Sequence, residues 1–125
     1  MPVGRAGAAD EVARLVGSLF SEDIAYLTGE QEFHGLRLRV TRDTLVPRPD
    51  TETLVDWALD LLAGHQNPAV LDLGTGSGAI ALALAHERPR LNVVGIDLSD
   101  EAVELARFNA AQLGVSNAGF RAGHW

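Results

Sequence analysis

The sequence has no cysteine among its 125 residues. This absence excludes disulfide bonds, thiolate metal sites and cysteine nucleophiles, and it fits a reducing compartment. Basic residues are scarce, with 10 Lys and Arg against 17 Asp and Glu, so the net charge is −7. A negative balance of this size argues against a protein that binds the phosphate backbone of nucleic acids.

Long hydrophobic runs are also absent. The longest uncharged apolar stretch, residues 79–85, is far shorter than the ~20 residues that span a bilayer. Asp10 and Glu11 interrupt the N-terminal segment, which therefore lacks the apolar region of a signal peptide. The length and a hydrophobic content of 46% are typical of one soluble domain or part of one. We expect a cytoplasmic protein without membrane contact.

Residues 1–45 are predicted to form a helix and a β-hairpin. Over residues 8–20 the apolar side chains recur at the spacing of an amphipathic helix. Apolar and polar residues then alternate around a turn at His34 and Gly35, which indicates a hairpin with one buried face. The apolar positions of this hairpin are Phe33, Leu36, Leu38 and Val40.

Residues 46–125 are predicted to form an α/β segment. Pro47 and Pro49 exclude regular structure at its start, and Asp50 is expected to cap a helix that stops at Gly64. The expected elements that follow are a strand at 69–73, a glycine turn at 74–78, a helix at 79–87, a strand at 91–97, a helix from Ser99 or Asp100 to Leu113, and a weak strand near Phe120. Strands that alternate with helices in this way predict a parallel sheet with right-handed crossovers.

The glycine turn Gly74-Thr75-Gly76-Ser77-Gly78 directly follows a buried strand. Glycine tolerates positive φ and lets a ligand approach the backbone, and a helix start presents free N–H groups to it. The second strand ends in Asp97, where nucleotide-binding α/β units carry a carboxylate for the ribose hydroxyls. The pattern predicts a nucleoside site. No Gly-Lys-Ser/Thr follows the turn, which excludes a Walker A loop.

Two cofactor classes share this architecture. Gly74, Gly76 and Ala79 satisfy the dinucleotide pattern with Ala in the last place, as in NAD(P)-dependent oxidoreductases. Asp72 lies two residues before the first glycine and suits a cationic amino group better than a pyrophosphate, unless it only bonds the loop's own amides. A non-catalytic nucleoside-binding module is the alternative outside the enzymes.

Three motifs resemble one known family. Residues 71–79 resemble the first motif of class I S-adenosylmethionine-dependent methyltransferases, and residues 95–99 resemble their acidic second-strand motif. The run Pro47-Arg48-Pro49-Asp50-Thr51-Glu52, preceded by residues 26–30 and 32–35, is similar to the PrmC/HemK subgroup. Members of that subgroup methylate the side-chain N5 of a glutamine in class I peptide release factors. The resemblance covers residues 22–125.

The resemblance implies S-adenosylmethionine as the cofactor. Residues Gly74 to Gly78 would wrap its methionine half, with Asp72 near its amino group. Asp97 would hold the ribose hydroxyls and Trp125 would lie against the adenine region, although His124 stands where members usually carry an acidic residue. The wall between cofactor and substrate would be formed by Arg48, Pro49, Asp50, Thr51 and Glu52.

The resemblance also implies a partial Rossmann-like class I methyltransferase fold, the parallel βαβαβ half of the sheet, with class I peptide release factors as partners. The family's Asn-Pro-Pro-Tyr motif is not present in these residues. We therefore expect a truncated domain with no catalytic residue and no turnover. In a sheet of order 3-2-1-4 the strand at 69–73 is strand 1 and lies in the middle. Without the strands after the third, it would become an open edge, from which we expect self-association or marginal stability. The four scattered histidines predict no metal site.

Overall fold

The computed structural model describes residues 28–42 and 44–124. The helix predicted over residues 8–20 and the residue Trp125 lie outside them. The elements in chain order are β1 (Glu30–Phe33), β2 (Leu36–Arg39), α1 (Pro49–Leu62), β3 (Ala69–Leu73), α2 (Ala79–Glu87), β4 (Asn92–Asp97), α3 (Asp100–Leu113) and β5 (Ala118–Ala122). The predicted hairpin and the predicted βαβαβ order are both confirmed.

The larger sheet has the order β3-β4-β5 and is parallel throughout. Leu71 of β3 lies opposite Val94 of β4, and Leu73 lies opposite Ile96. Because β4 is the central strand, β3 has one unpaired edge within the part of the chain that the structure describes. No helix in that part is long and apolar enough to cross a bilayer.

The two faces of this sheet differ in what covers them. Val93 of β4 and Phe120 of β5 are buried in one core with side chains of α2 and α3, such as Leu82. Leu71 and Leu73 point the other way because side chains alternate along a strand, and they are 58% and 46% exposed. Parallel sheets are normally covered on both faces, so this face is unusually bare among the described residues.

The hairpin packs against the same core. Strands β1 and β2 pair in antiparallel register, with Phe33 opposite Leu36. Phe33 and Leu38 are 1% and 0% exposed and belong to the cluster that contains the buried residues of α2. The alternation read from the sequence therefore holds in β2, where Leu36 and Leu38 are buried, whereas Phe33 is the one buried residue of β1.

The hairpin turn is bound to α1 through His34, which has a φ of 51°. Its backbone N–H donates to Oε2 of Glu52 at 2.8 Å, and its Nε2 lies 2.9 Å from Oδ1 of Asp56. The hydrogen bond to Asp56 raises the pKa of His34, with smaller contributions from the charges of Asp56, Glu87 and Glu52 against the effect of burial. The turn is thus fixed by carboxylates of the neighbouring helices.

The helix ends correct one prediction and confirm another. Asp50 was expected to cap α1, but the N-cap is Arg48 and Pro49 occupies the first turn. Proline is favoured there because its fixed φ suits a helix and its missing N–H would have no helical partner. Of the two predicted caps of α3, Ser99 and Asp100, the N-cap is Ser99, whose side chain accepts a hydrogen bond from the N–H of Ala102 at 3.2 Å.

Gly95 of β4 has no room for a side chain, which makes it a sensitive position. A Cβ there would lie 2.6 Å from Cδ1 of Phe120 and 2.6 Å from Oγ1 of Thr75, whereas a Cβ at Gly119 of β5 would meet nothing within 4 Å. We expect Gly95→Ala to lower the free energy of unfolding by about 1–3 kcal/mol, as overpacked cores do. Gly119→Ala is the matched control, and urea unfolding of both variants is the measurement. Equal stability of the two would contradict the packing described.

Candidate functional site

A cleft of about 410 Å³ lies at the carboxyl ends of β3 and β4. Open parallel α/β sheets bind ligands at this end of their strands. Its walls come from the proline-containing segment before α1, from the loop between β3 and α2, and from the end of β4. The lining residues are Thr44, Leu45, Val46, Pro47, Arg48, Thr51, Asp72, Gly74, Thr75, Gly76, Ser77, Ala79, Ile80, Asp97 and Ala102.

The loop between β3 and α2 is held by the neighbouring strand. The N–H groups of Gly74 and Thr75 both donate to the carbonyl of Ile96, at 2.8 and 3.0 Å. Gly74 and Gly76 have φ values of 74° and 58°, in the left-handed region that favours glycine. A Cβ at either position would meet nothing within 4 Å. Glycine is therefore needed there for its φ angle and not for lack of space, and the loop backbone is accessible from the cleft.

Gly78 has a different role from the other two loop glycines. Its φ is 86°, and a Cβ there would lie 3.1 Å from Cβ of Ala106 and 3.2 Å from both Leu82 and Phe120. It is buried and does not line the cleft. Gly78 therefore lets α2 begin close to α3 and β5, while Ser77 beside it is 3% exposed and does line the cleft.

Asp97 connects the end of β4 to the loop. Its Oδ2 accepts a hydrogen bond from the N–H of Gly76 at 2.9 Å, and its Oδ1 accepts one from the N–H of Ser99 at 3.0 Å. The sequence pattern pointed to Asp97 as a ligand group and missed this contact with the loop. A carboxylate has about four lone-pair sites, so two acceptor sites remain for a ligand in the cleft.

Asp72 lines the same cleft from near the carboxyl end of β3. Its Oδ2 accepts a hydrogen bond from the hydroxyl of Thr75 at 2.8 Å. Burial raises the pKa of Asp72, and the nearby Asp97 raises it further, against the hydrogen bonds from Thr75 and the Ala81 backbone. Two carboxylates on one cleft favour a cationic or hydroxyl-bearing ligand and disfavour a pyrophosphate.

The proline-containing motif lies only partly at the cleft. Arg48 and Thr51 line it, whereas Pro49, Asp50 and Glu52 do not. The expected wall of five residues is therefore only partly formed, because successive residues of a helix point in different directions. Glu52 instead accepts the hydrogen bond from His34. The apolar lining residues Val46 and Ile80 carry no polar signal by which sequence reasoning would have found them.

Metal ligands do not cluster in the described part of the chain. Over residues 28–42 and 44–124, no group of three or more His, Asp or Glu side chains is placed to hold a metal ion. Of the other positions that the resemblance assigned to the cofactor, Trp125 lies outside the described residues, and the neighbouring His124 does not line the cleft.

Comparison with known sequences gives consistent results. Residues 64–125 match the family described as "Methyltransferase domain". The release factor glutamine methyltransferase of Aliivibrio fischeri is 53% identical over 113 residues, which are 90% of this chain and 39% of that protein. The protein of the same name from Vibrio cholerae is 57% identical over 104 residues, 83% of this chain and 36% of its own length. The chain thus spans about two fifths of these relatives.

Comparison with solved structures identifies the same fold. An RNA methyltransferase from Salinibacter ruber in complex with S-adenosyl-L-homocysteine matches with a TM-score of 0.53 and 34% identity, over 62% of this chain and 50% of that one. A protein-L-isoaspartate O-methyltransferase matches with a TM-score of 0.54 and 22% identity, over 66% of this chain and 26% of the other, which bears on the fold alone. The predicted partial Rossmann-like fold is confirmed.

The partly buried carboxylate of Asp72 predicts an unusual response to pH. A raised pKa means that the folded chain holds this proton more tightly than the unfolded chain does. The contribution of Asp72 to the free energy of unfolding therefore falls as the pH rises from 3.8, the ordinary pKa of an aspartate, through the raised pKa of Asp72. We expect Asp72→Asn, which keeps an acceptor for Thr75, to raise the Tm at neutral pH by about 3–6 °C if the gain is about 1 kcal/mol.

The measurement is the Tm of the variant and of the unmodified chain at several pH values between acid and neutral. The two curves should converge at acid pH, where Asp72 is protonated. Asp60→Asn, at an exposed position of α1, is the control for the loss of one negative charge. A lower Tm for Asp72→Asn than for this control at neutral pH would contradict the assignment.

Proposed function

We propose that the cleft binds S-adenosylmethionine. The premise is that the chain belongs to the methyltransferase family through residues 64–125. Over most of its length it is also related to release factor glutamine methyltransferases. The family resemblance predicted from the motifs is confirmed by these relatives. The observation that carries the proposal is the accessible loop backbone between two carboxylates, those of Asp72 and Asp97. S-adenosylmethionine has a sulfonium, an ammonium and ribose hydroxyls, which are the groups that carboxylates bind.

The residues present fit this cofactor in charge and in space. A cleft of about 410 Å³ is within the range of small-molecule sites. We assign the free acceptor sites of Asp97 to the ribose hydroxyls and Asp72 to the ammonium group. The backbone at Gly74 and Gly76 would lie against the methionine part, since no side chain separates it from the cleft. An ammonium beside Asp72 would also offset the cost of keeping that partly buried carboxylate ionised.

When bound, S-adenosylmethionine supplies an electrophilic methyl group. The residues of this chain would hold and orient it, and positioning alone contributes several kcal/mol to reactions of this kind. For the whole protein we propose transfer to the side-chain N5 of a glutamine in a class I peptide release factor, which places the protein in the cytoplasm. Arg48 and Thr51, opposite the loop, would form part of the side from which that substrate approaches. We assign no catalytic residue within these 125 residues.

The NAD(P) alternative has less support. Gly74, Gly76 and Ala79 fit the dinucleotide pattern, but a pyrophosphate against this loop would lie beside the carboxylates of Asp72 and Asp97. A role as a nucleoside-binding module without turnover is compatible with the same cleft. The non-catalytic module would bind the same ligand and differ only in lacking a reaction. A binding measurement therefore distinguishes S-adenosylmethionine from NAD(P) but does not address turnover.

We expect the 125-residue chain to bind S-adenosylhomocysteine and S-adenosylmethionine, but not NAD, in parallel calorimetric titrations. Asp97→Asn should weaken the binding of S-adenosylhomocysteine about 10- to 100-fold, because a hydrogen bond to a charged group is worth about 1.5–3 kcal/mol. The substitution removes the charge and keeps one acceptor oxygen, which can serve the N–H of Gly76, but it loses the one that accepts from the N–H of Ser99.

Asp60→Asn is the control for charge, because Asp60 is exposed on α1 and does not line the cleft. It should leave the dissociation constant unchanged. Binding of NAD in place of S-adenosylhomocysteine would favour the oxidoreductase alternative. Equal weakening by the two substitutions would reject the assignment of Asp97.

We also propose that two copies of the 125-residue chain associate through β3. In the described sheet this strand has an unpaired edge, and its Leu71 and Leu73 are largely exposed. A second copy presents the same edge, and antiparallel pairing of the two β3 strands would join the sheets about a two-fold axis. The apolar side chains beside the edge would then be covered together with the free N–H and C=O groups.

Sedimentation of the chain over a range of concentrations tests this association. We expect a concentration-dependent dimer, and we expect Leu71→Lys to shift it towards monomer because charge on an edge strand opposes pairing. Leu98→Lys is the matched control, since Leu98 is 70% exposed but lies after β4, away from the open edge. A monomer at every concentration, or equal effects of the two substitutions, would reject the proposal.

A further inference from the structure

We infer that Asn109 is a positioning residue for the cofactor loop, although it does not line the cleft. The inference rests on the proposed binding of S-adenosylmethionine. Asn109 lies in α3 and is 1% exposed, which is rare for an amide side chain. A buried amide is tolerated only when its donors and acceptor have partners, so the identity of those partners indicates what the residue does.

The first partner is the loop itself. Nδ2 of Asn109 donates to the carbonyl of Ser77 at 3.0 Å, in a contact that is fully buried. Ser77 lies between Gly76, whose N–H is bound by Asp97, and Gly78, which packs on α3. Holding the Ser77 carbonyl fixes the peptide plane between Ser77 and Gly78, directly after Gly76. The loop is therefore held from the cleft side by Asp97 and from the core side by Asn109.

The second partner is the end of the hairpin. Oδ1 of Asn109 accepts from the N–H of Arg39 at 2.8 Å, and Nδ2 donates to the Arg39 carbonyl at 3.0 Å. The guanidinium of Arg39 also lies 5.3 Å from the ring centroid of Phe108. These three hydrogen bonds, two to Arg39 and one to Ser77, leave the Asn109 amide one orientation. One side chain thus connects β2, α3 and the loop, so that the placement of the hairpin bears on the shape of the cleft.

Asn117 shows what a purely structural asparagine does in this protein. Its Nδ2 lies 3.0–3.1 Å from the carbonyls of Ala85, Arg88 and Leu91, at the amino end of β4. That is the end of the strand opposite the cleft, and none of these residues lines it. Asn109 and Asn117 therefore make similar numbers of backbone contacts, but only Asn109 touches the cofactor loop.

The test compares Asn109→Ala with Asn117→Ala in the 125-residue chain. We expect both to lower the Tm, and only Asn109→Ala to weaken the binding of S-adenosylhomocysteine, by about tenfold. Amide hydrogen exchange at Gly76 and Gly78, measured without ligand, should be faster in Asn109→Ala and unchanged in Asn117→Ala. Asn109→Ser, which retains a hydroxyl donor, should show intermediate affinity and exchange, and it provides the comparison if Asn109→Ala does not fold.

The two readouts separate this inference from the proposed function. Failure of the unmodified chain to bind S-adenosylhomocysteine would reject the proposed cofactor, and the positioning role would then be decided by loop exchange alone. Equal loss of affinity in the variants at Asn109 and Asn117, or unchanged exchange at Gly76 in the Asn109 variants, would reject the positioning role, because stability alone would then account for the effect.

Discussion

The geometry of the cleft depends on one junction, where the end of β4 holds the loop that follows β3. The Ile96 carbonyl accepts two loop N–H groups, and the Asp97 carboxylate accepts a third. The loop has no regular structure of its own, so its shape is set by these contacts. Parallel pairing brings the carboxyl ends of β3 and β4 to the same end of the sheet. Only because of this pairing does the carboxylate of Asp97, 21 residues away in sequence, reach Gly76.

The same junction concentrates negative charge at a partly buried position. Asp72 and Asp97 face one cleft, and burial raises the pKa of Asp72 rather than stabilising its charge. Within the described residues, the carboxylate of Asp72 is hydrogen-bonded to the neutral hydroxyl of Thr75 and is paired with no basic side chain. Such an arrangement opposes folding at neutral pH and is typical of a ligand site.

Sequence reasoning succeeded where structure follows from local periodicity. It failed where the direction of a side chain decides what that side chain contacts. The hairpin, the element order and the Ser99 cap follow from alternation, helical spacing and capping chemistry within short windows. The proline-containing motif predicts one wall, yet Thr51 lines the cleft while the adjacent Glu52 binds the hairpin turn. A helix rotates by about 100° per residue, so neighbours in a motif are not neighbours in a site.

The glycine loop and the position of Asp97 follow from local sequence, because positive φ angles and strand length are constraints on nearby residues. The contacts that hold the loop on its core side arise from long-range packing instead. Asn109 reaches Ser77 across 32 residues and Arg39 across 70. In the sequence it is one polar residue on a helix, without a pattern to distinguish it. Its role arises from burial, because a buried amide must find partners, and packing of the hairpin and α3 supplies them.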